Sequence, residues 1–239
     1  MPEPRTDLRA TLTGLIGFAA IEEQILVVEA GEASDTGDAT SWAAVPTIAH
    51  TSEFRDEQVQ RLAAIRNGVE PPEFARIEHE SPDVYRRYCE NDADTVWQLS
   101  RDTSEALIDG TRLCSDADLL DPTRHPWLQG RHLWLQIVVR GFWHPLGHLG
   151  DYYLHHGMQA RALSLHQHAC TTAHYLGAPP AAAGMAYYNL ACAQAAIGED
   201  DDAVSSLERA IRLNPDLRGH AQAEPDLAGL REAGRLASK

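Results

Sequence analysis

The stretch at residues 130–157, "GRHLWLQIVVRGFWHPLGHLGDYYLHHG", combines apolar residues at helical spacing with five histidines, His132, His144, His148, His155 and His156. How it is read decides the fold. His144 and His148 are four apart, so on a helix their rings stand one turn above each other on one face, the spacing at which two imidazoles share a metal. Two packed or solvent-facing histidines would give the same spacing. Pro145 shifts the balance, because a proline inside a helix deletes a backbone hydrogen bond and crowds the carbonyl four residues back, here Gly141, at a cost of roughly 3 kcal/mol or more. A kink beside a histidine pair is easier to explain at a site than in plain packing; the alternative is that the helix simply breaks. Pro145 also stands where the His-Glu-x-x-His motif of metalloproteases needs its glutamate, which excludes that chemistry.

Working outward, Leu8, Leu12, Leu15, Ala19 and Leu26 recur at three- and four-residue spacing and predict a first helix over residues 7–30, closed by Gly31. "GEASDTGDAT" reads as a polar loop. "SWAAVPTIAH" opens a second helix, with Ser41 as its cap and Pro46 in its first turn, ending near Asn67. Ser81 and Pro82 predict the cap and first residue of one helix from 82 to 113, and "CSDADLLDPTRHPWLQG" reads as a loop before the histidine-rich helix. No segment alternates as a strand does. Four long helices, each with one apolar face, give an all-α bundle over residues 1–157.

On the second helix His50, flanked by apolar residues, is the candidate third ligand to join His144 and His148, although a lone histidine there also reads as a satisfied core residue. Asp151 and His155 continue the face of the pair and are candidates to orient its members or to donate protons. Trp42, Trp127, Trp134 and Tyr152 are candidates for the apolar wall of a small-molecule pocket, with ordinary core packing as the alternative. The remaining histidines, including His125 and His166, read as surface residues.

Residues 158–239 differ in character. "MAYYNLACAQAAIGEDDDAVSSLERAIRLNP" fits the tetratricopeptide pattern at Tyr187, Leu190, Ala191, Gly198, Ala203, Leu207, Ala210 and Pro215. One repeat cannot close its own core, so the segment is expected to pack on the bundle or on a second subunit.

Composition removes several classes. With a net charge of −15 the chain would repel a phosphate backbone, so no nucleic acid is expected as partner. Lys239 is the only lysine, which argues against Schiff-base chemistry and a lysine-dependent phosphate loop. The start lacks a secretory pattern and no apolar run is long and charge-free enough to span a bilayer, so the expected location is cytoplasmic, without membrane association. The four cysteines match no metal spacing and read as reduced, semi-buried thiols.

Three features in order, "SWAAVPTIAH", "RHPWLQGRHLW" and "HPLGH", resemble the DinB-like four-helix bundle superfamily and, more narrowly, its ClbS/DfsB branch. Pro126, Trp127, Gly130, Arg131 and Trp134 carry the most branch-specific piece. The resemblance implies a DinB-like bundle followed by a TPR-like appendage, and a divalent metal, zinc or nickel, on His50, His144 and His148; Pro145 between the pair departs from the family pattern. It further implies thiol-dependent transferase or isomerase activity on small electrophiles, or, as in the ClbS-like branch, a self-resistance hydrolase that opens a reactive cyclopropane. The expected function is therefore a metal-dependent hydrolase or thiol transferase of detoxification, resistance or natural-product metabolism, with a low-molecular-weight thiol as candidate cosubstrate. Homodimerisation through the appendage is part of the same expectation. The reading from a different class is a non-enzymatic adaptor acting through the TPR-like segment.

Overall fold

The computed structural model describes residues 7–31, 37–38, 41–74 and 82–236, leaving the side chains of residues 82–84 aside. The predicted cap Ser81, His79 and most of the 31–40 loop lie outside the described residues. Among those described, every regular element is helical. The chain forms two compact units that divide between Tyr152 and Tyr153, inside a helix and ahead of the 157/158 boundary read from the sequence.

The first unit is built from α1 (Leu8–Gly31), α2 (Ala44–Arg66), α3 (Pro82–Cys89), α4 (Ala93–Leu113) and α5 (Asp116–Leu120), then α6 (Leu133–Val138), which passes through a π-helical turn, Val139–Trp143, into α7 (His144–His155). α4 packs on both α1 and α2, and the π turn packs on α1 and α2. Leu12, Leu15, Ala19 and Leu26 of α1 are fully buried, as their spacing predicts. α1 is also apolar enough to cross a bilayer by composition, with a mean hydropathy of 1.5 over Leu8–Ala30. Its buried glutamates and packed leucines are what a core helix carries.

The core of this unit is crossed by a charged network. Glu23 of α1 and Arg55 of α2 are both wholly buried and pair in two parallel bonds, Nη1 to Oε1 at 3.0 Å and Nη2 to Oε2 at 2.8 Å. Thr51 Oγ1 and, from α4, Ser100 Oγ also donate to Glu23, at 2.9 and 2.6 Å. Arg55 Nε donates to Thr103 Oγ1 of α4 at 3.1 Å. A buried charge is tolerated only when its hydrogen-bonding capacity is met in this way.

Two sequence expectations need correction. The single helix predicted from 82 to 113 is two, because Asp92 accepts the Thr95 backbone N–H at 3.0 Å and starts a new helix, while Asn91 Nδ2 donates to the carbonyl of Tyr88 at 2.9 Å and closes the old one. The loop after Leu113 holds α5, nucleated by a capping box between Ser115 and Asp118. α2, for its part, starts after Ala43 without a side-chain cap, so Ser41 does not serve as one.

The π turn resolves the question of Pro145. His144 donates its backbone N–H to Val139 O, five residues back, so the helix widens immediately before the proline instead of breaking. Gly141 has a further cause: a Cβ there would stand 2.8 Å from Ile16 Cγ1 of α1 and 2.8 Å from Leu107 Cδ2 of α4, so only glycine lets the turn approach both helices.

The second unit contains α8 (Gln159–Tyr175), α9 (Pro180–Ala196), α10 (Asp200–Leu213), α11 (Leu217–Ala223) and α12 (Ala228–Glu232). α9 packs on α8 and α10. Gly198 makes the α9–α10 turn at φ +84°, and Ala191, Ala203, Leu207 and Ala210 are buried between these helices. Arg209 lies over the Tyr187 ring at 4.1 Å. His166 here and His125 in the first unit are buried, against their sequence reading.

Gly141→Ala should therefore overpack the first unit and lower its stability by about 1–3 kcal/mol, read as a fall in the thermal midpoint. In an Ile16→Ala background the added methyl should cost less, and equal costs in both backgrounds would refute the close-approach account.

Candidate metal centre

α2 brings His50 to α7, where His144 and His148 share a face. His144 Nε2 lies 3.2 Å from His50 Nε2 and 3.2 Å from His148 Nε2. All three donor atoms lie within 4.8 Å of one another. Zinc–imidazole bonds of about 2.0–2.1 Å at tetrahedral angles place donor nitrogens about 3.3–3.4 Å apart, so the donor set fits a divalent metal of the zinc class. His50 is wholly buried, whereas His144 and His148 are partly exposed.

The tautomer of His50 follows from its neighbours. Its Nδ1 faces Tyr88 Oη of α3 at 3.4 Å, and Tyr88 donates its own proton to Glu53 Oε2. Arg87 donates to Glu53 Oε2 at 2.5 Å and to Tyr88 Oη at 2.9 Å. With its proton committed to Glu53, the phenol oxygen accepts from His50 Nδ1–H, and the lone pair of His50 is left on Nε2, toward His144. Burial first, and then the hydrogen bond to Glu53, pushes the Tyr88 phenol above its ordinary range, which keeps it a neutral donor.

Aromatic rings enclose the imidazoles. Trp42 stacks near His148, with centroids 6.5 Å apart and planes 15° apart, and meets His50 edge-on at 5.5 Å. Phe54 stacks on His144 at 4.6 Å. Arg140, on the π turn, caps the other partner: its guanidinium lies 4.4 Å from the Phe54 centroid and pairs with Glu57 at 2.9 Å. Burial pushes the Glu57 carboxyl up and the Arg140 guanidinium down, each opposed by the charge of the other.

The structure thus gathers His50, His144, His148 and Trp42. Asp151 and His155 lie on the exposed side of α7. Trp127 packs instead against Arg61, 5.6 Å from guanidinium to ring, and lines a cleft with Ile65 and Pro71. Trp134 stacks on His132 at 6.4 Å, and Tyr152 is buried at the end of the unit. Sequence reasoning missed Glu53, Phe54 and the role of Tyr88. Glu53 and Phe54 stand three and four residues after His50, so helical spacing alone could have flagged them; Tyr88 arrives from a separate helix and carried no such signal.

No family model matches the chain, and no curated protein or solved structure matches it significantly.

Tyr88→Phe should retain the fold but lower zinc affinity by about 10–100-fold, the cost of removing the group that orients a ligand imidazole. Competition with a chromophoric chelator measures it; unchanged affinity would mean that Tyr88 merely packs.

Proposed function

We propose that His50, His144 and His148 hold one divalent metal of the zinc class, and that the protein is an enzyme that attacks a small electrophile with water or a low-molecular-weight thiol. The observation that carries this reading is the meeting of three Nε2 atoms from two helices, two contacts being 3.2 Å, with one ring's tautomer fixed from behind. When bound, such a metal acts as a Lewis acid that makes water or a thiol nucleophilic near neutral pH.

The chain's own residues supply the rest. Tyr88 and Glu53 hold His50 in one tautomer, and Phe54, clamped by Arg140, holds the His144 ring. Trp42 and Phe54 flank the imidazoles with apolar faces that exclude bulk water and suit the apolar body of a substrate. The reading agrees with the resemblance to the DinB-like superfamily and its ClbS/DfsB branch, and with a TPR-like reading of α9 and α10; hydrolase and thiol transferase are the two reaction types it covers.

Protein purified without a histidine tag and without chelator should contain zinc or a neighbouring metal, and His148→Ala should lose one equivalent while its circular dichroism stays helical. Turnover of a panel of epoxides and activated cyclopropanes, with and without a low-molecular-weight thiol, should fall to background in the same variant. Metal-free protein that takes up none at these histidines would overturn the proposal and leave the helical hairpin of the second unit, as an adaptor, as the functional part.

A further inference from the structure

A second set of metal donors lies in the second unit. Cys192 of α9 meets Glu224 and Asp226, which bracket Pro225 just after α11, and one ligand atom from each lies within 4.8 Å of the others. The thiol is reduced and half-buried. Tyr188, one turn before Cys192 on α9, donates its hydroxyl to Glu224 Oε2 at 3.2 Å. Arg231 donates to the backbone carbonyls of Ala221, at 3.1 Å, and Glu224, and so pins the segment that carries both carboxylates. Burial, and then the neighbouring Asp226, push the Glu224 carboxyl up, while Tyr188, the Asp226 backbone and the charge of Arg231 oppose them. The imidazole of His155, at the end of α7 and in the same unit, stands within electrostatic reach of Asp226.

Two features make this more than an acidic surface patch. The donors come from two distant stretches of chain and converge on a held backbone. They also combine a thiol with two carboxylates, a mixed sulfur and oxygen donor set. Calcium and magnesium take all-oxygen sites, whereas zinc and its neighbours accept sulfur, nitrogen and oxygen together. We propose that Cys192, Glu224 and Asp226, with His155 as a candidate fourth donor, form a second site for a divalent metal of the zinc class, independent of the three-histidine centre. Occupied, it ties α9 to the segment after α11, so metal binding adds to the stability of the second unit.

Cobalt(II) titration of the full chain tests this, because thiolate ligation gives a sulfur-to-cobalt charge-transfer band in the near ultraviolet that three imidazoles cannot produce. The band should saturate at one equivalent, persist in His148→Ala and vanish in Cys192→Ser. Asp226→Asn, at an exposed position, should weaken the binding read from the band by about tenfold or more, the least expected for a lost ligand. Zinc should raise the thermal midpoint of His148→Ala but not of the double variant with Cys192→Ser. Absence of the band in the wild type, its persistence in Cys192→Ser, or undiminished affinity in a Glu224→Gln, Asp226→Asn double variant would overturn the proposal. None of these outcomes bears on the histidine centre.

Discussion

The first unit depends on the buried pair of Glu23 and Arg55. Its gross attraction is largely offset by desolvation, so a well-packed apolar pair could be as stable; removing one partner, by contrast, strands a charge at roughly 3–5 kcal/mol. What the pair supplies is registry. Glu23 is bound by Arg55 and Thr51 of α2 and Ser100 of α4, and Arg55 reaches Thr103 of α4, so three helices have one mutual rotation in which all these bonds close. That rotation surrounds α2: His50, Thr51, Ser52 and Arg55 are all without solvent exposure. His50 is buried because Arg55, on the same helix, is held fast.

The other half of the site comes from the π turn. One extra residue in a helical turn rotates everything after it by about 100°, the angle of one residue. Leu133 and Ile137 before the turn and Leu146 and Leu149 after it are all buried, so the extra residue resets the apolar face across Pro145. His144 and His148 then fall beside that face, partly exposed and toward His50. A helix terminated at Pro145 would have carried the histidines away as a separate element; the sequence offered kink or break, and the widened turn is how both the proline and the packing are accommodated.

Much of this was legible in the residues. Spacing located α1, α2 and the α9–α10 hairpin, because their burial follows a single period, and the four-residue interval of His144 and His148 transfers directly to any helix that contains them. What was not legible depends on contacts between distant segments. Glu23 and Arg55 read as ordinary charges, since nothing local says that each meets the other. Tyr88 has no neighbour in sequence that marks it, and its hydroxyl acquires a task only when α3 folds against α2. Asp92 starts a new helix through a short-range cap in "ENDADT", a local signal that the longer apolar pattern across it masks. Cys192 has no ligand-like neighbour in sequence, because its partners are presented by the turn after α11.

Arginine carries nearly all the positive charge, and the structure uses the properties that lysine lacks. Arg55 engages Glu23 as a two-pronged fork. Arg140, Arg87, Arg161 and Arg209 each stand over an aromatic ring, 4.1 to 4.9 Å from its centroid. Arg87 and Arg140 are each fixed by a ring as well as by a carboxylate, so Arg140 can hold Phe54, and through it His144, in place.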